Sequence, residues 1–323
     1  MGDITLLVLA NPADRQLAML EALPEETHIA VGESAEAFER AAAKADAVFN
    51  WSGTRALLSE VLAMAPAARW VHTRSAGLDD LWSPELAAHP AVLTNASGVF
   101  SASLGEWVLG AILYFAKDFR RLTRNQAAGV WEPFDVSFVE GQTVGIVGFG
   151  DIGRAVAARV RAMGMRVLAL KRHAAPPGHA DPLAERIYAT QARCEMLAQC
   201  DYVVVAAPLT PETRGMMGAA EFAAMKREAV LVNVGRGPVV EEAVLIEALS
   251  RGVIKGAALD VFDREPLPAG HPFYRLENVL LSPHSADHTP DWLERAMRQF
   301  LEQFERFRRG QPLAGVVDKR LGY

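Results

Sequence analysis

The stretch Thr143-Val-Gly-Ile-Val-Gly-Phe-Gly-Asp-Ile-Gly153 is an apolar run that leads directly into a glycine-rich turn. In a strand–turn–helix context Gly148 permits the tight turn, Gly150 lets a pyrophosphate approach the backbone, and Gly153 lets the helix pack on the strand. The helix N-terminus then offers N–H groups and the positive end of its dipole to the phosphates. A glycine turn without a ligand is the structural alternative. The predicted cofactor-binding residues of this turn are Gly148, Phe149, Gly150, Asp151, Ile152 and Gly153.

On both sides of this turn, short apolar runs alternate with helical segments, which is the pattern of parallel sheets covered by helices on both faces. Before the turn we expect strands near 4–10, 30–31, 47–50, 70–73 and 91–94, and helices near 14–22, 34–44, 55–64 and 101–118. From the turn onward we expect strands near 143–147, 166–170, 202–206, 229–233, 256–260 and 279–281, and helices near 152–163, 191–199, 219–224 and 241–250. A last helical stretch, roughly 290–309, follows the second sheet.

This pattern predicts an α/β protein with two doubly wound parallel-sheet domains. We expect a Rossmann cofactor domain, residues 99–289, inserted in a flavodoxin-like substrate domain formed by residues 1–98 and 290–323. A chain of 323 residues is long enough for two domains of ordinary size.

Composition argues against several other classes of protein. Lys plus Arg is 33 and Asp plus Glu is 39, giving a net charge of -6, so no basic excess favours nucleic-acid binding. The two cysteines, Cys194 and Cys200, are too few for a disulfide framework or a four-cysteine zinc site, and we predict no metal. With no apolar run long enough for a membrane span and no signal-peptide pattern, we expect a cytoplasmic protein.

The choice of cofactor is predicted from the end of the strand that follows the glycine turn. An acid that binds the ribose hydroxyls of NAD normally stands there, but this strand ends in Lys171-Arg172. Two cations attract a 2′-phosphate, and an arginine binds phosphate especially well. We therefore predict a preference for NADP(H), with NAD(H) possible; both side chains being solvated charges is the alternative.

Three further strand ends carry residues with chemical potential. Arg236 stands between two glycines after one predicted strand, where a guanidinium can clamp a carboxylate with two parallel hydrogen bonds. Glu265 and His284 follow the next two strands. A carboxylate beside an imidazole stabilises its protonated form, which makes His284 a proton donor for a developing alkoxide. Each of these residues alone is more often structural than catalytic, so the prediction requires that the three side chains lie close together in the fold.

Together these motifs resemble the D-2-hydroxyacid dehydrogenase family, in the family's order and over about residues 45–310. The stretches that carry the resemblance are Gly148–Gly153, Asn233-Val-Gly-Arg-Gly237, Leu259-Asp-Val-Phe-Asp-Arg-Glu-Pro-Leu-Pro268 and Ser282-Pro-His284. The resemblance implies Arg236 as the substrate clamp, His284 as the acid/base and Glu265 as its partner. The chain departs from the family's pattern at Lys171-Arg172, which replaces the usual ribose acid, and at Ala286, where the family often has glycine.

The resemblance also implies roles outside these stretches. Pro208 and Thr213 would lie beside the cofactor, and Asp260 would lie near the nicotinamide, with a turn cap as the alternative for Asp260. In the first domain Ser75-Ala76-Gly77 resembles the loop whose N–H groups hold the substrate carboxylate. Within the family, Asn50-Trp51 and Asp263-Arg-Glu-Pro-Leu-Pro268 look most like the glyoxylate/hydroxypyruvate reductase branch. Trp51 would wall the substrate pocket, with core packing as the alternative. Two further residues are expected to be structural or at the surface, Glu106 and His288.

The sequence thus predicts an oxidoreductase that reduces a small 2-keto acid, such as glyoxylate or hydroxypyruvate, by hydride transfer from NADPH. An NAD-dependent formate or phosphite type of dehydrogenase and a cofactor-sensing binding protein of the same fold are the alternatives. By resemblance we expect a homodimer through the cofactor domain, with Trp131–Phe134 and helix 101–118 as the apolar surface. We expect no nucleic-acid or membrane partner.

Overall fold

A computed structural model of the chain describes residues 3–173 and 181–322. The chain divides into two compact units. Unit 1 contains residues 1–100 and 289–323, and unit 2 contains residues 101–288. The sequence predicted domain boundaries after residues 98 and 289, and in the structure the boundaries between the two units lie after residues 100 and 288.

Unit 1 is built on a parallel sheet of five strands in the order β2-β1-β3-β4-β5, which is the flavodoxin-like order. Its strands are β1 (Ile4–Leu9), β2 (Thr27–Gly32), β3 (Ala47–Asn50), β4 (Trp70–Thr73) and β5 (Val92–Thr94). Its helices are α1 (Arg55–Met64), α2 (Pro84–Ala88) and the C-terminal helix Trp292–Arg308.

Alternate residues of these strands face opposite sides of the sheet, and each side is covered. Val48 and Val71 belong to the cluster that packs against α1 and α2. Phe49 and Trp70 stack instead on Phe300 of the C-terminal helix, with ring centroids 3.8 and 5.5 Å apart. The end of the chain therefore completes the domain that its beginning started.

Unit 2 is built on seven parallel strands in the order β12-β11-β10-β9-β6-β7-β8, which is the Rossmann order with one further strand. Its strands are β6 (Thr143–Val147), β7 (Arg166–Lys171), β8 (Arg186–Ala189), β9 (Tyr202–Val205), β10 (Val230–Asn233), β11 (Gly256–Leu259) and β12 (Val279–Leu281). Its helices are α3 (Ser101–Ala116), α4 (Phe119–Ala128), α5 (Asp151–Ala162), α6 (Arg193–Leu197), α7 (Ala219–Ala224) and α8 (Glu242–Ser250).

Three expected helices differ from what forms. Residues 14–22 and 34–44 were expected to be α-helical, but they form short 3₁₀ turns, Arg15–Ala22, Ala35–Phe38 and Ala42–Lys44. Helix formation has a costly nucleus, and here burial of Phe38 and Ala42 against the sheet fixes the chain without a continuous helix. The helix expected at 101–118 ends earlier, because Asp118 adopts a left-handed φ of +49° and then caps α4. β8 was not expected.

Among residues 3–173 and 181–322, no helix is both long and apolar enough to cross a lipid bilayer. Over the same ranges, His, Cys, Asp and Glu side chains form no group of three that could hold a metal ion.

Candidate active site

The glycine-rich turn joins β6 to α5, and two of its glycines are required by close backbone packing. Gly148 has a φ of +93°, and a Cβ there would lie 2.6 Å from the Cα and N of Ala207. A Cβ on Gly153 would overlap the carbonyl oxygen of Gly148. Any side chain at either position would therefore push the turn away from its neighbours.

Gly150, in contrast, has open space in front of it. It caps α5 without a side-chain hydrogen bond, and a Cβ on Gly150 would meet nothing within 4 Å. The N–H groups of residues 151–153 lie in the first turn of α5, where a helix has no internal acceptors for them. Phe149 is buried and Ile152 half-buried, so these two side chains hold the turn in place. An open cradle beside a helix N-terminus fits a diphosphate.

Lys171 and Arg172 lie at the carboxyl end of β7, next to a carboxylate that the sequence analysis missed. Lys171 is exposed, and the Arg172 Nη2 lies 3.8 Å from Oε2 of Glu212. The Thr210 hydroxyl donates a hydrogen bond that lowers the pKa of the Glu212 carboxyl. Glu212 comes from the loop after β9, about 40 residues away in sequence, so no local pattern could have paired it with Arg172.

Thr213 organises that same loop. Its Oγ1 donates to the Pro208 carbonyl at 2.6 Å and accepts the Thr210 N–H at 2.8 Å. Pro208 is exposed. The hydroxyl of Thr213 therefore shapes the segment from Pro208 onward, and contact of either residue with a cofactor stays a prediction.

Arg236 is presented by a turn that a buried amide folds. Asn233 ends β10 and is 1% exposed. Its Oδ1 accepts the Gly235 N–H at 3.1 Å, and its Nδ2 donates to the Arg236 carbonyl at 3.2 Å. The half-buried Arg236 guanidinium donates from Nη1 to the Gly235 carbonyl at 2.9 Å. The position of this cation is thus set by its own strand end.

The glycines on either side of Arg236 allow its turn to touch two neighbouring loops. A Cβ on Gly235 would lie 2.7 Å from the carbonyl oxygen of Ala207. A Cβ on Gly237 would overlap the carbonyl group of Phe262, three residues before Glu265. Backbone contact without side chains therefore fixes the spacing between the Arg236 turn and the segment that carries Glu265.

His284 and Glu265, which follow adjacent strands β12 and β11, lie in direct contact. The His284 Nδ1 donates to Oε2 of Glu265 at 2.6 Å. The other carboxylate oxygen, Oε1, accepts the Phe262 N–H at 2.9 Å. Both side chains are partly exposed, 44% for His284 and 34% for Glu265. The arrangement leaves the His284 Nε2 as the nitrogen that can exchange a proton with a ligand.

Asp260, which the resemblance places near the nicotinamide, accepts hydrogen bonds from the loop that carries His284. It is 1% exposed, and its Oδ1 accepts hydrogen bonds from the Ser282 Oγ at 2.6 Å, the Ser285 N–H at 3.0 Å and the Ala286 N–H at 3.1 Å. Asp260 therefore anchors the loop on either side of His284. These bonds fit a turn cap, the alternative that the sequence left open for Asp260, and contact of Asp260 with a cofactor stays a prediction.

Residues near this loop that the sequence analysis missed include Ser103 and Asp287. The Ser103 hydroxyl donates to the Ala286 carbonyl at 2.8 Å and adds a second anchor. Burial raises the pKa of the Asp287 carboxyl, against the opposing effect of His288, whose Nε2 lies 3.8 Å away. His288 itself is half-exposed. Glu106, as expected, is structural, and it accepts from the Arg159 Nη2 of α5 at 3.2 Å.

In unit 1, the Trp51 side chain is buried among its neighbours. It is 2% exposed, its ring meets Phe49 edge-on with centroids 5.7 Å apart, and the Arg74 guanidinium lies 4.8 Å above it. Burial lowers the pKa of Arg74. This geometry favours core packing, the alternative that the sequence left open for Trp51.

The loop Ser75–Gly77 is held by its carbonyl groups. The Ser75 carbonyl accepts from the Thr73 Oγ1 and the Ala96 N–H, both at 3.2 Å, and the Ala76 carbonyl accepts from the Asn95 Nδ2 at 2.6 Å. The N–H groups of residues 75–77 have no acceptor among residues 3–173 and 181–322. Such a run of available donors suits a carboxylate.

Comparison with known proteins identifies the family. Residues 109–286 match the model of the D-isomer specific 2-hydroxyacid dehydrogenase NAD-binding domain. The chain is 32% identical to a glyoxylate reductase of Korarchaeum cryptofilum over 278 residues, covering 81% of this chain and 80% of that one. It is 36% identical to glyoxylate/hydroxypyruvate reductase B of Serratia proteamaculans over 239 residues, 70% and 71% of the two chains.

The fold comparison agrees over the full length. The crystal structure of an NADPH-dependent glyoxylate/hydroxypyruvate reductase from Sinorhizobium meliloti, in complex with NADP and sulfate, superposes with a TM-score of 0.81 at 28% identity, covering 100% of both chains. The two parallel-sheet domains, the glycine turn and the three strand-end motifs therefore have one explanation. The chain belongs to the D-isomer specific 2-hydroxyacid dehydrogenases, a family of nicotinamide-dependent oxidoreductases.

Proposed function

We propose that this dehydrogenase is an NADP(H)-preferring reductase of small 2-keto acids, with glyoxylate or hydroxypyruvate as substrate. Relatives that carry the names glyoxylate reductase and glyoxylate/hydroxypyruvate reductase support the substrate class. Lys171 and Arg172 at the end of β7 support the cofactor preference, as does the NADP bound to the Sinorhizobium meliloti structure. NAD(H) remains a usable cofactor in this proposal.

The turn from Gly148 to Gly153 would hold the diphosphate, since its cradle is open and it leads into the N-terminus of α5. Lys171 and Arg172 would hold the 2′-phosphate, in competition with Glu212. When bound, a reduced nicotinamide supplies the hydride that the substrate's carbonyl carbon accepts.

Arg236 would bind the keto acid through two parallel N–H bonds to its carboxylate and keto oxygen, which fixes the carbonyl group. As the carbonyl carbon is reduced, the C=O π bond breaks and its electron pair moves to oxygen. His284 would donate the proton on Nε2 to that oxygen, giving the 2-hydroxy acid. Glu265 would stabilise the imidazolium and fix the ring's orientation through the bond to Nδ1.

In unit 1, we propose that the N–H groups of Ser75, Ala76 and Gly77 contribute to carboxylate binding. Their lack of acceptors among the described residues supports this role. Trp51 would contribute by packing within unit 1, where it is 2% exposed.

The observation that carries the proposal is the 2.6 Å bond between His284 and Glu265 beside the Arg236 turn. The test is steady-state oxidation of NADPH with glyoxylate and with hydroxypyruvate. His284→Ala should lower kcat by about 10²–10⁴-fold, with little change in cofactor binding. Arg236→Ala should raise KM for the keto acid by about 10–100-fold. Wild-type turnover by the His284→Ala enzyme would end the proposed mechanism.

Cofactor preference has a separate test. Replacing Lys171 and Arg172 by alanine should weaken NADPH binding by about 10–100-fold and leave NADH binding within about 3-fold, because only NADPH carries the 2′-phosphate. Titration of the protein's intrinsic fluorescence with NADPH and with NADH measures the two dissociation constants. An equal loss for both cofactors would refute the assignment.

We also propose a homodimer formed through unit 2. In α3, Leu104, Val108 and Ile112 are buried, whereas the exposed large apolar side chains lie on α4 and the following segment, which includes the expected Trp131. These exposed groups are Phe119, Leu122, Val130, Trp131, Val136 and Phe138, with Trp131 97% exposed. An exposed patch of this kind is typical of an interface. Sedimentation should give a dimer that Trp131→Glu with Phe138→Glu converts to a monomer.

A further inference from the structure

A second carboxylate–imidazole pair, Glu242 and His271, joins the two ends of the segment that carries Glu265. Glu242 is the first residue of α8, and His271 precedes the short 3₁₀ turn Pro272–Tyr274. The His271 Nε2 lies 3.1 Å from Oε1 of Glu242. Both side chains are well shielded, 14% exposed for His271 and 24% for Glu242.

The hydrogen-bond roles within this pair are defined by its neighbours. The Phe273 N–H points to the His271 Nδ1 at 3.4 Å, so Nδ1 is an acceptor and Nε2 carries the proton donated to Glu242. The second oxygen of Glu242, Oε2, accepts the Asp263 N–H at 3.3 Å. A single carboxylate thus binds the segment 263–271 at both of its ends.

Glu265 lies inside that segment, in its exposed part, residues 263–266. Two further hydrogen bonds hold the part after Glu265, from the His271 N–H to the Pro268 carbonyl at 3.1 Å and from the Tyr274 hydroxyl to the Leu267 carbonyl at 3.4 Å. Gly237, five residues before Glu242 in the chain, packs on the backbone of Phe262 just before the segment begins. One side of the segment is therefore fixed by Gly237 and the two ends by Glu242.

We propose that Glu242 and His271 form a positioning pair, which holds Glu265 at bonding distance from His284 without touching substrate or cofactor. This inference rests on the proposed function of Glu265 and His284. Because acid–base catalysis depends on geometry at the level of about 1 Å, loosening the segment should lower turnover and not cofactor binding.

The test uses kcat for hydroxypyruvate reduction by NADPH, together with fluorescence titration of cofactor binding. Glu242→Ala should lower kcat about 10-fold and leave NADPH binding within about 2-fold. Glu247→Ala is the matched control, since Glu247 is on the same helix but is 64% exposed and pairs with Arg251; it should retain wild-type kcat.

A pair of substitutions at His271 separates positioning from general packing. Gln places an N–H donor near the position of Nε2, whereas Asn mimics Nδ1 and cannot reach Glu242. His271→Gln should therefore retain kcat within about 3-fold, and His271→Asn should lose about 10-fold. Equal activity of these two variants would overturn the proposal, and the comparison remains available if Glu242→Ala does not fold.

A double-mutant cycle with Glu265→Gln distinguishes a positioning role from a purely structural one, because only a positioning role makes the effect of Glu242→Ala on kcat depend on Glu265. If Glu242 acts through Glu265, adding Glu242→Ala to Glu265→Gln should lower kcat by less than about 2-fold. The same 10-fold loss in both backgrounds, or no loss in either, would overturn the positioning role. If Glu265→Gln alone has wild-type kcat, the proposed acid–base mechanism fails, and the inference fails with it.

Discussion

Replacing Asp260 by asparagine should lower both the stability of unit 2 and kcat, because Asp260 anchors the loop that carries His284. The carboxylate is 1% exposed and its Oδ1 is the acceptor for one hydroxyl and two backbone N–H groups of residues 282–286. An amide oxygen at the same place can accept the same three bonds, but without the negative charge. The substitution therefore isolates the contribution of the charge.

The size of the effect follows from those three bonds. Hydrogen bonds to a charged group contribute about 1.5–3 kcal/mol each, and neutral ones about 0.5–1.5 kcal/mol. The difference is about 1 kcal/mol per bond, so Asp260→Asn should destabilise unit 2 by about 3 kcal/mol. Asp260→Ala removes the acceptor and leaves the donors buried, so its cost should be larger, about 4–6 kcal/mol.

The same bonds hold His284 in an unfavourable backbone conformation. Its φ is +52°, in the left-handed region, where a residue other than glycine costs about 1 kcal/mol or more. When the hydrogen bonds at Ser285 and Ala286 are weaker, the loop lowers its free energy by relaxing His284 toward a negative φ. This relaxation moves the imidazole away from Glu265. We therefore expect kcat of the Asp260→Asn enzyme to fall by about 10–100-fold.

Urea unfolding followed by far-UV circular dichroism gives the stability change, and NADPH oxidation with hydroxypyruvate gives kcat. Asp263→Asn is the control, because it makes the same chemical change three residues later at an exposed position; its stability should stay within about 0.5 kcal/mol of wild type. An Asp260→Asn protein with the stability and turnover of the control would refute this account of the loop.

Three other predictions concern His72, a pair of glycines and Cys200. His72 is fully buried, and burial lowers its pKa from 6.5 to about 3. Between these pH values the unfolded chain binds a proton that the folded chain does not, so the free energy of unfolding is undiminished above pH 6.5 and falls by about 2 kcal/mol by about pH 5. Urea midpoints across this pH range, compared with those of His72→Phe, measure the loss. Gly150→Ala should keep the wild-type melting temperature and weaken NADPH binding at least about 10-fold, whereas Gly237→Ala should lose stability by about 3 kcal/mol or more because its Cβ overlaps Phe262. Burial raises the pKa of the Cys200 thiol to about 12, so a disulfide reagent should label Cys200 only after unfolding.

The sheets and their helices were predictable because the deciding signals are local. A buried parallel strand reads as a short apolar run, and the glycine turn marks one strand-to-helix junction without any long-range information. Topology then makes a prediction beyond local pattern. Since β11 and β12 are neighbours and parallel, residues that follow them meet at one edge, and this brings His284 to Glu265.

The errors in secondary structure have a common cause. An Ala-rich segment such as 34–44 has high helix propensity, but propensity is a weak prior that tertiary contacts override. The burial of Phe38 and Ala42 in the core of unit 1 favours turns that follow the sheet. The break between α3 and α4 depends on the left-handed conformation of Asp118, which an aspartate adopts only in particular surroundings.

The direction of a side chain is what the sequence could not supply. Asp260 and Glu265 both follow β11, five residues apart, and a carboxylate after a strand end is compatible with a ligand or with a buried anchor. In the structure Glu265 turns to His284 and Asp260 turns to the backbone of the next loop. Trp51 is a similar case, because a large aromatic residue after a strand fits a pocket wall as well as it fits a core.

The proposed catalytic side chains of unit 2 obtain their spacing from backbone contacts between loops. Gly148 and Gly235 both approach Ala207, and Gly237 approaches Phe262, so the phosphate turn, the Arg236 turn and the Glu265 segment are each positioned by the next. Such contacts leave no room for independent adjustment, since moving one loop moves its neighbour. Substitutions at Gly235 and Gly237 should therefore be strongly non-additive with each other in kcat, whereas each should add normally to a change at the exposed Glu247.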